Sequence, residues 1–96
     1  MTFHTDAEAE FDEAVAYYDE CRVGLGDDFY LEVYSAIQRI AEYPEAWPIQ
    51  EADVRRCQTN RFPYGIFYSI TEGEILVLAI RHSRRDTESW KHRMRR

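Results

Sequence analysis

The sequence predicts an α+β domain of two layers, an N-terminal helical hairpin packed on one face of a small antiparallel sheet. The expected order is a short β-α-α-β-β-β, followed by a C-terminal tail or short helix. Three observations carry this reading. Two stretches near the start repeat apolar residues at helical spacing, and the glycine-bearing Val23-Gly24-Leu25-Gly26 separates them. Two apolar runs, Tyr64 to Ile70 and Glu74 to His82, flank Glu72-Gly73, a short glycine-containing link of the kind that joins hairpin strands. The length of 96 residues suits one domain spanning 1–96, since a chain near this size buries roughly 60–65% of its unfolded surface in one core.

Thr2 to His4 reads as a short strand. Thr5-Asp6-Ala7-Glu8 then fits a capping box, with Thr5 as the cap and Glu8 reaching back, so the first helix should start there. Its buried stripe is Phe11, Ala14, Val15 and Tyr18, and its carboxylates Glu8, Glu10, Asp12 and Glu13 read as a solvated face. The second helix is expected from about Asp27 to Tyr43, burying Phe29, Val33, Ala36, Ile37 and Ile40. Pro44 ends it, because a proline pushes the preceding residue out of the helical region. Pro44 to Pro48 is a loop in which Trp47 anchors over the core edge.

Val54 to Arg61 reads as a more polar strand, with Arg55, Cys57, Thr59 and Arg61 on one face and Arg56 and Gln58 on the other. In the next strand Ile66, Tyr68 and Ile70 oppose Phe67 and Ser69. Strict alternation in the last strand puts Ile75, Val77 and Ala79 on one face and Leu76, Leu78 and Ile80 on the other. Two helices cover only one face. The other is therefore expected to be exposed unless the tail, through Trp90, or another protein meets it.

The net charge of −6 hides an asymmetry. Met1 to Val54 carries 14 acidic and 2 basic residues, whereas Arg55 to Arg96 carries 4 acidic and 10 basic, giving −12 and +6. Such a division points to a polyanion-facing end or an acidic-basic pairing. No basic leader precedes an apolar stretch, and the longest aliphatic run, Ile75 to Ile80, is far short of the roughly 20 residues that span a bilayer. A cytoplasmic location without membrane attachment is expected. Cys21 and Cys57 read as free thiols, and His4, His82 and His92 share no ligand spacing with each other or with a cysteine, so no metal or cofactor is expected.

The last apolar strand ends abruptly in Arg81, His82, Arg84 and Arg85, which delivers a cationic cluster to the end of the sheet. The plainer readings are a hydrogen-bonded structural histidine and arginines paired with the acidic helices.

The segments AEAEFDEAVAYY, GLGDDF, RIAEYPEAWP, VRRCQTNRFPYGIFY and EILVLAIRHSRRDTESW, in this order and spacing, resemble the RelE/ParE superfamily of toxins from type II bacterial toxin-antitoxin modules. The resemblance covers almost the whole chain. It implies a two-layer fold, growth inhibition, and a cognate antitoxin that wraps the toxin and makes an oligomer with it by helix-in-groove and strand-addition contacts. RelE-like members cut messenger RNA in the ribosome, whereas ParE-like members poison DNA gyrase. Under the first reading the protein would be a metal-independent ribonuclease. Its catalytic residues would be His82, Arg61, Arg81 and Arg85, with His82 moving a proton and the arginines stabilising the phosphorane-like transition state. Arg56, Tyr64, Tyr68 and Arg84 would then bind substrate, the tyrosines by stacking or hydrogen bonding. RelE-like sheets usually carry lysines, but the only lysine here is Lys91, in the tail; HSRRD is of a kind seen among ParE-like members. Gyrase is therefore the favoured target, with the ribosome and a non-toxic binding domain as alternatives.

Overall fold

The structure, a computed structural model, describes residues 1–83. The first strand, Thr2–Phe3 (β1), leads into two helices, Thr5–Cys21 (α1) and Leu25–Glu42 (α2). Four strands follow: Ile49–Glu51 (β2), Val54–Gln58 (β3), Tyr64–Thr71 (β4) and Glu74–His82 (β5). The sheet order is β1-β5-β4-β3-β2. The helices pack on one face of this five-stranded sheet, giving the α+β architecture that the sequence predicts.

Two details of the sheet differ from the sequence reading. It is mixed, because β1 runs parallel to β5, pairing Thr2 with Leu76 and Phe3 with Val77. It also gains β2, whose all-exposed residues follow Pro48 and pair antiparallel with β3. The first strand explains the helix start. His4 donates its backbone N–H to the Val77 carbonyl, which fixes it as the last residue of the sheet connection, and its Nδ1 accepts from Asp6 N at 3.1 Å. His4, rather than Thr5, is the N-cap.

The second helix begins two residues earlier than its sequence pattern suggests. Gly24 takes the left-handed region at φ 87°, and the Asp19 carboxylate of α1 accepts from Gly26 N at 2.9 Å. A neighbouring helix thus supplies the cap that Gly24 lacks. β3 ends at Gln58, short of the expected Arg61, because Thr59 folds back. Its hydroxyl donates to the Phe62 carbonyl and lies 3.0 Å from the Tyr64 carbonyl. The loop before β2 is held by Arg55, which donates to the carbonyls of Trp47 (2.7 Å) and Glu45 (3.3 Å), and by the Tyr68 hydroxyl donating to the Pro44 carbonyl at 2.6 Å. Trp47 packs against the core as expected.

Between helices and sheet lies an aromatic-aliphatic core. Phe29, wholly buried, meets Tyr18, Phe62 and Tyr64 with ring centroids 4.9–5.3 Å apart. These are the tilted and edge-on geometries that aromatic quadrupoles favour. Val33, Ile40, Ile66 and Val77 complete the same cluster.

The last strand does not alternate strictly. Phe67 pairs with Ala79 but Tyr68 pairs with Val77, which leaves Leu78 as the extra residue of a β-bulge. Beyond that point the faces exchange. Ile75, Val77 and Ile80 join the helix-side core, whereas Leu76, Leu78 and Ala79 gather with Val54 and Phe67 on the other face. On this second face Val54, Phe67, Leu78 and Ala79 are all buried. The proposed covering role of Trp90 and the C-terminal tail or helix lie outside the described residues.

Candidate functional site

The bulge decides what the strand end presents. With it, His82 shares the helix side with Ile80 and pairs with Tyr64, while Arg81 pairs with Gly65. The His82 ring stands nearly edge-on to Tyr64, centroids 5.4 Å apart and planes at 73°. Both line a cleft of about 790 Å³ between α1 and the end of β5, walled by Glu10, Tyr17, Tyr18, Ile80 and Arg81. Burial pushes the Tyr18 phenol up from its ordinary pKa, with nearby Tyr64 adding to the effect. The Tyr18 phenol on this wall therefore keeps its proton at neutral pH.

The sequence reading left Glu10 on a solvated face, and the structure corrects this. One Glu10 oxygen accepts from Ile80 N at 3.0 Å and the other from Arg81 Nη1 at 2.8 Å. Both side chains are mostly shielded, at 17% and 20% exposure. The reason is that β1 ends opposite Val77, so the outer edge of β5 beyond it has an unmatched N–H that Glu10 satisfies. A sequence signal existed, because Glu10 falls between Ala7 and Ala14 on the buried side of α1.

The other expected site residues are not gathered there. Arg61 is tied to α2, its Nη1 3.2 Å from Asp28 and its backbone N donating to Glu32 at 2.6 Å. Its guanidinium lies 5.1 Å from the centre of the Phe62 ring. Arg56 sits on the opposite face, 5.7 Å from the Phe67 ring centre, and donates to Gln58, which in turn donates to Ser83 at 2.7 Å. Its Nε is buried and, among the described residues, has no hydrogen-bond partner. Gly65 makes room for this packing, since a Cβ there would lie 2.9 Å from that Nε. Tyr68 is wholly buried with its hydroxyl on Pro44, so its ring faces the core and not a substrate. Arg84 and Arg85 lie outside the described residues. Tyr64, His82 and Arg81 are thus brought together, whereas Arg61, Arg56 and Tyr68 stand apart from them.

Neither cysteine forms a disulfide; Cys21 is exposed and Cys57 buried. Burial raises the pKa of the Cys57 thiol despite the opposing field of Arg39, which keeps it protonated and a poor nucleophile.

Over residues 1–87 the sequence matches the family described as ParE toxin of type II toxin-antitoxin system, parDE. The chain belongs to this family. Membership makes it a toxin of a type II toxin-antitoxin system and implies an antitoxin partner. No curated protein matches the chain in sequence. The family's two-layer architecture, expected from five sequence segments, is the one observed, and no helix among the described residues is long and apolar enough to cross a membrane.

Proposed function

We propose that this ParE-family chain arrests growth by acting on DNA gyrase and that a cognate antitoxin neutralises it. The observation that carries the choice of target is the dispersal of the cations. Cleaving RNA through its 2′-hydroxyl needs a base, an acid and cations converging on one phosphate. Here Arg81 is held by Glu10 and Arg61 by Asp28 and Glu32, while Arg56 lies on the opposite sheet face. Arginine itself, with an ordinary pKa above about 12, is a poor proton donor. Among the described residues, cations held apart in this way support binding a protein or DNA surface over chemistry on RNA.

One observation favours the alternative of ribosome-dependent messenger RNA cleavage. His82 and Tyr64 open onto a cleft of about 790 Å³, with Arg81 at its wall. In that reading His82 transfers the proton, Tyr64 stacks a base, and Arg81 with Arg61, Arg84 and Arg85 supplies charge. The test is induction in cells with messenger 5′ ends mapped and gyrase-linked DNA breaks assayed together. Growth arrest with DNA breaks and intact messages supports the gyrase reading, and His82→Ala should then leave arrest within a few-fold. New 5′ ends inside translated codons, lost at least tenfold in His82→Ala, would replace it with the nuclease reading. Unimpaired growth with neither signal would leave a binding domain.

A further inference from the structure

The sheet separates two unlike charge environments. The helices, with their carboxylates, cover one face only. On the other face β3 and β4 present Val54, Arg56 and Gln58 beside Ser69, Phe67 and Gly65, a set with one cation and no carboxylate. That cation, Arg56, is held in place from three sides. Its guanidinium lies 5.7 Å from the Phe67 ring centre, and its Nη2 donates to Gln58 Oε1 at 2.6 Å. Gly65 leaves the space that it occupies, since an added Cβ would lie 2.9 Å from Nε.

Arg56 differs from its neighbours in how its charge is met. Arg81 is neutralised by Glu10 and Arg61 by Asp28. Among the described residues Arg56 meets no carboxylate, and its buried Nε meets no acceptor. A guanidinium that is already ordered and still uncompensated is suited to receive an anion, because little side-chain freedom remains to be lost on binding.

Arg56 also stands where the chain changes composition. Gln58 Nε2 donates to Ser83 Oγ at 2.7 Å, so two side-chain bonds join Arg56 to the residue at which β5 has ended. From there 84–96 reads RRDTESWKHRMRR, six basic residues against two acidic, a net +4 that contrasts with −12 for Met1 to Val54. Duplex DNA carries one charge per roughly 1.7 Å of its axis, which rewards many cations without a shaped partner for each. An acidic protein surface instead favours paired arginine–carboxylate forks. The acidic hairpin on the opposite face would be repelled by phosphates, so the same asymmetry orients the chain. We propose that the sheet face opposite the helices, at the end where β5 stops, contacts the phosphate backbone of double-stranded DNA through Arg56 and the basic residues of 84–96. The inference goes beyond the choice between gyrase and ribosome, since it concerns the chain and DNA alone.

The test is fluorescence anisotropy of a labelled duplex of about 20 base pairs, titrated with the full chain from about 50 to 200 mM salt. Affinity should fall with salt along a log-log line, as counterion release requires. Arg56→Gln should weaken binding about three- to tenfold at the lowest salt and reduce the slope by about 1, and Arg56→Lys should recover most of the loss. Arg39→Gln removes an equal charge from α2, where Arg39 donates to Ser35, and should leave affinity within about twofold. The triple variant Arg93→Gln, Arg95→Gln, Arg96→Gln should weaken binding at least tenfold. Urea midpoints identify any variant whose loss is one of folding. Amide shifts of the unaltered chain on adding DNA need no variant, and should fall on β3, β4 and Ser83. Shifts confined to α1 and α2, or equal losses from Arg56→Gln and Arg39→Gln, would overturn the site. An absence of binding at tens of micromolar chain and the lowest salt would do the same. Tighter binding of single-stranded RNA or of polyglutamate than of the duplex would replace DNA with RNA or an acidic protein as the partner.

Discussion

The strand end and the groove on the outer side of the helical hairpin, where Phe11 stacks on Tyr30 and Tyr34 follows, treat charge in opposite ways. At the strand end Arg81 and Glu10 are partly buried and satisfy each other, and a backbone N–H shares the arrangement. In the groove Glu8 and Asp12 stand beside exposed rings and, among the described residues, meet no cation. Buried polar groups must find partners within the fold, whereas exposed ones can wait for water or for another molecule. The difference therefore separates a site built as part of the scaffold from one built as an open surface, and substitutions should affect the two unequally.

The largest effect should come from the residue that underlies both. Phe29 touches Phe11 of the groove, with ring centroids 5.9 Å apart, and Tyr64 of the strand end, at 4.9 Å, and it is wholly buried. Phe29→Ala should cost about 3–5 kcal/mol, read from the shift of a urea midpoint at unchanged slope. Both sites should loosen together. If the two prove unequal in their loss, they are more independent than the shared ring implies.

Gly26→Ala should break the groove alone. Replacing a helical glycine with alanine ordinarily stabilises by about 1 kcal/mol. Here the added Cβ would lie 2.5 Å from the Asp19 carboxyl and 2.6 Å from the Val15 carbonyl oxygen, a backbone atom that cannot swing away. The helices must separate instead, at about 1–3 kcal/mol, and the Phe11–Tyr30 stack spans that joint. A variant with a raised urea midpoint would contradict this. The complementary change is Glu10→Ala, which leaves the Ile80 N–H and Arg81 without their shared acceptor and should destabilise by about 1–3 kcal/mol. Its amide-exchange signature should be faster exchange at Ile80.

Much of this architecture is legible in the residues, and the parts that are not share a cause. Helical stripes, the glycine break between the helices and the Glu72-Gly73 turn are local signals, and each element they announce is present; Glu72 and Gly73 take φ 53° and 78°, as a tight hairpin requires. The misread features depend on contacts between separate elements. His4 caps α1 because Val77 fixes it, Asp19 caps α2 across the hairpin, and Glu10 is drawn from its expected solvated face to an unmatched strand edge 70 residues away. The bulge at Leu78 leaves no composition signal at all, yet it determines that His82 rather than Arg81 faces Tyr64. Alternation counted from Glu74 places Ala79 and Ile80 on the wrong sides for the same reason. The candidate site was thus named by residue type at the end of β5, while its actual grouping of Tyr64, His82, Arg81 and Glu10 came from tertiary pairing.

The smallest change should leave both sites alone and tests the scaffold between them. Tyr68 is buried, its hydroxyl bonded to the Pro44 carbonyl, and burial outweighs the opposing field of Arg55 to push its phenol pKa up to about 12. Tyr68→Phe removes that bond and should cost about 1 kcal/mol at neutral pH, without altering growth arrest. The pH dependence has a definite sign. The folded phenol holds its proton more tightly than the unfolded one, so the stability it contributes is complete below pH 10 and declines as pH rises towards 12. The wild-type advantage over Tyr68→Phe should therefore shrink across that interval. Urea midpoints at pH 8, 10 and 11 measure the narrowing, and absorbance at alkaline pH should show Tyr68 among the last of the seven tyrosines to ionise. A constant difference between the two proteins would mean that the Tyr68 phenol ionises as readily folded as unfolded, and that its bond to Pro44 is open to water.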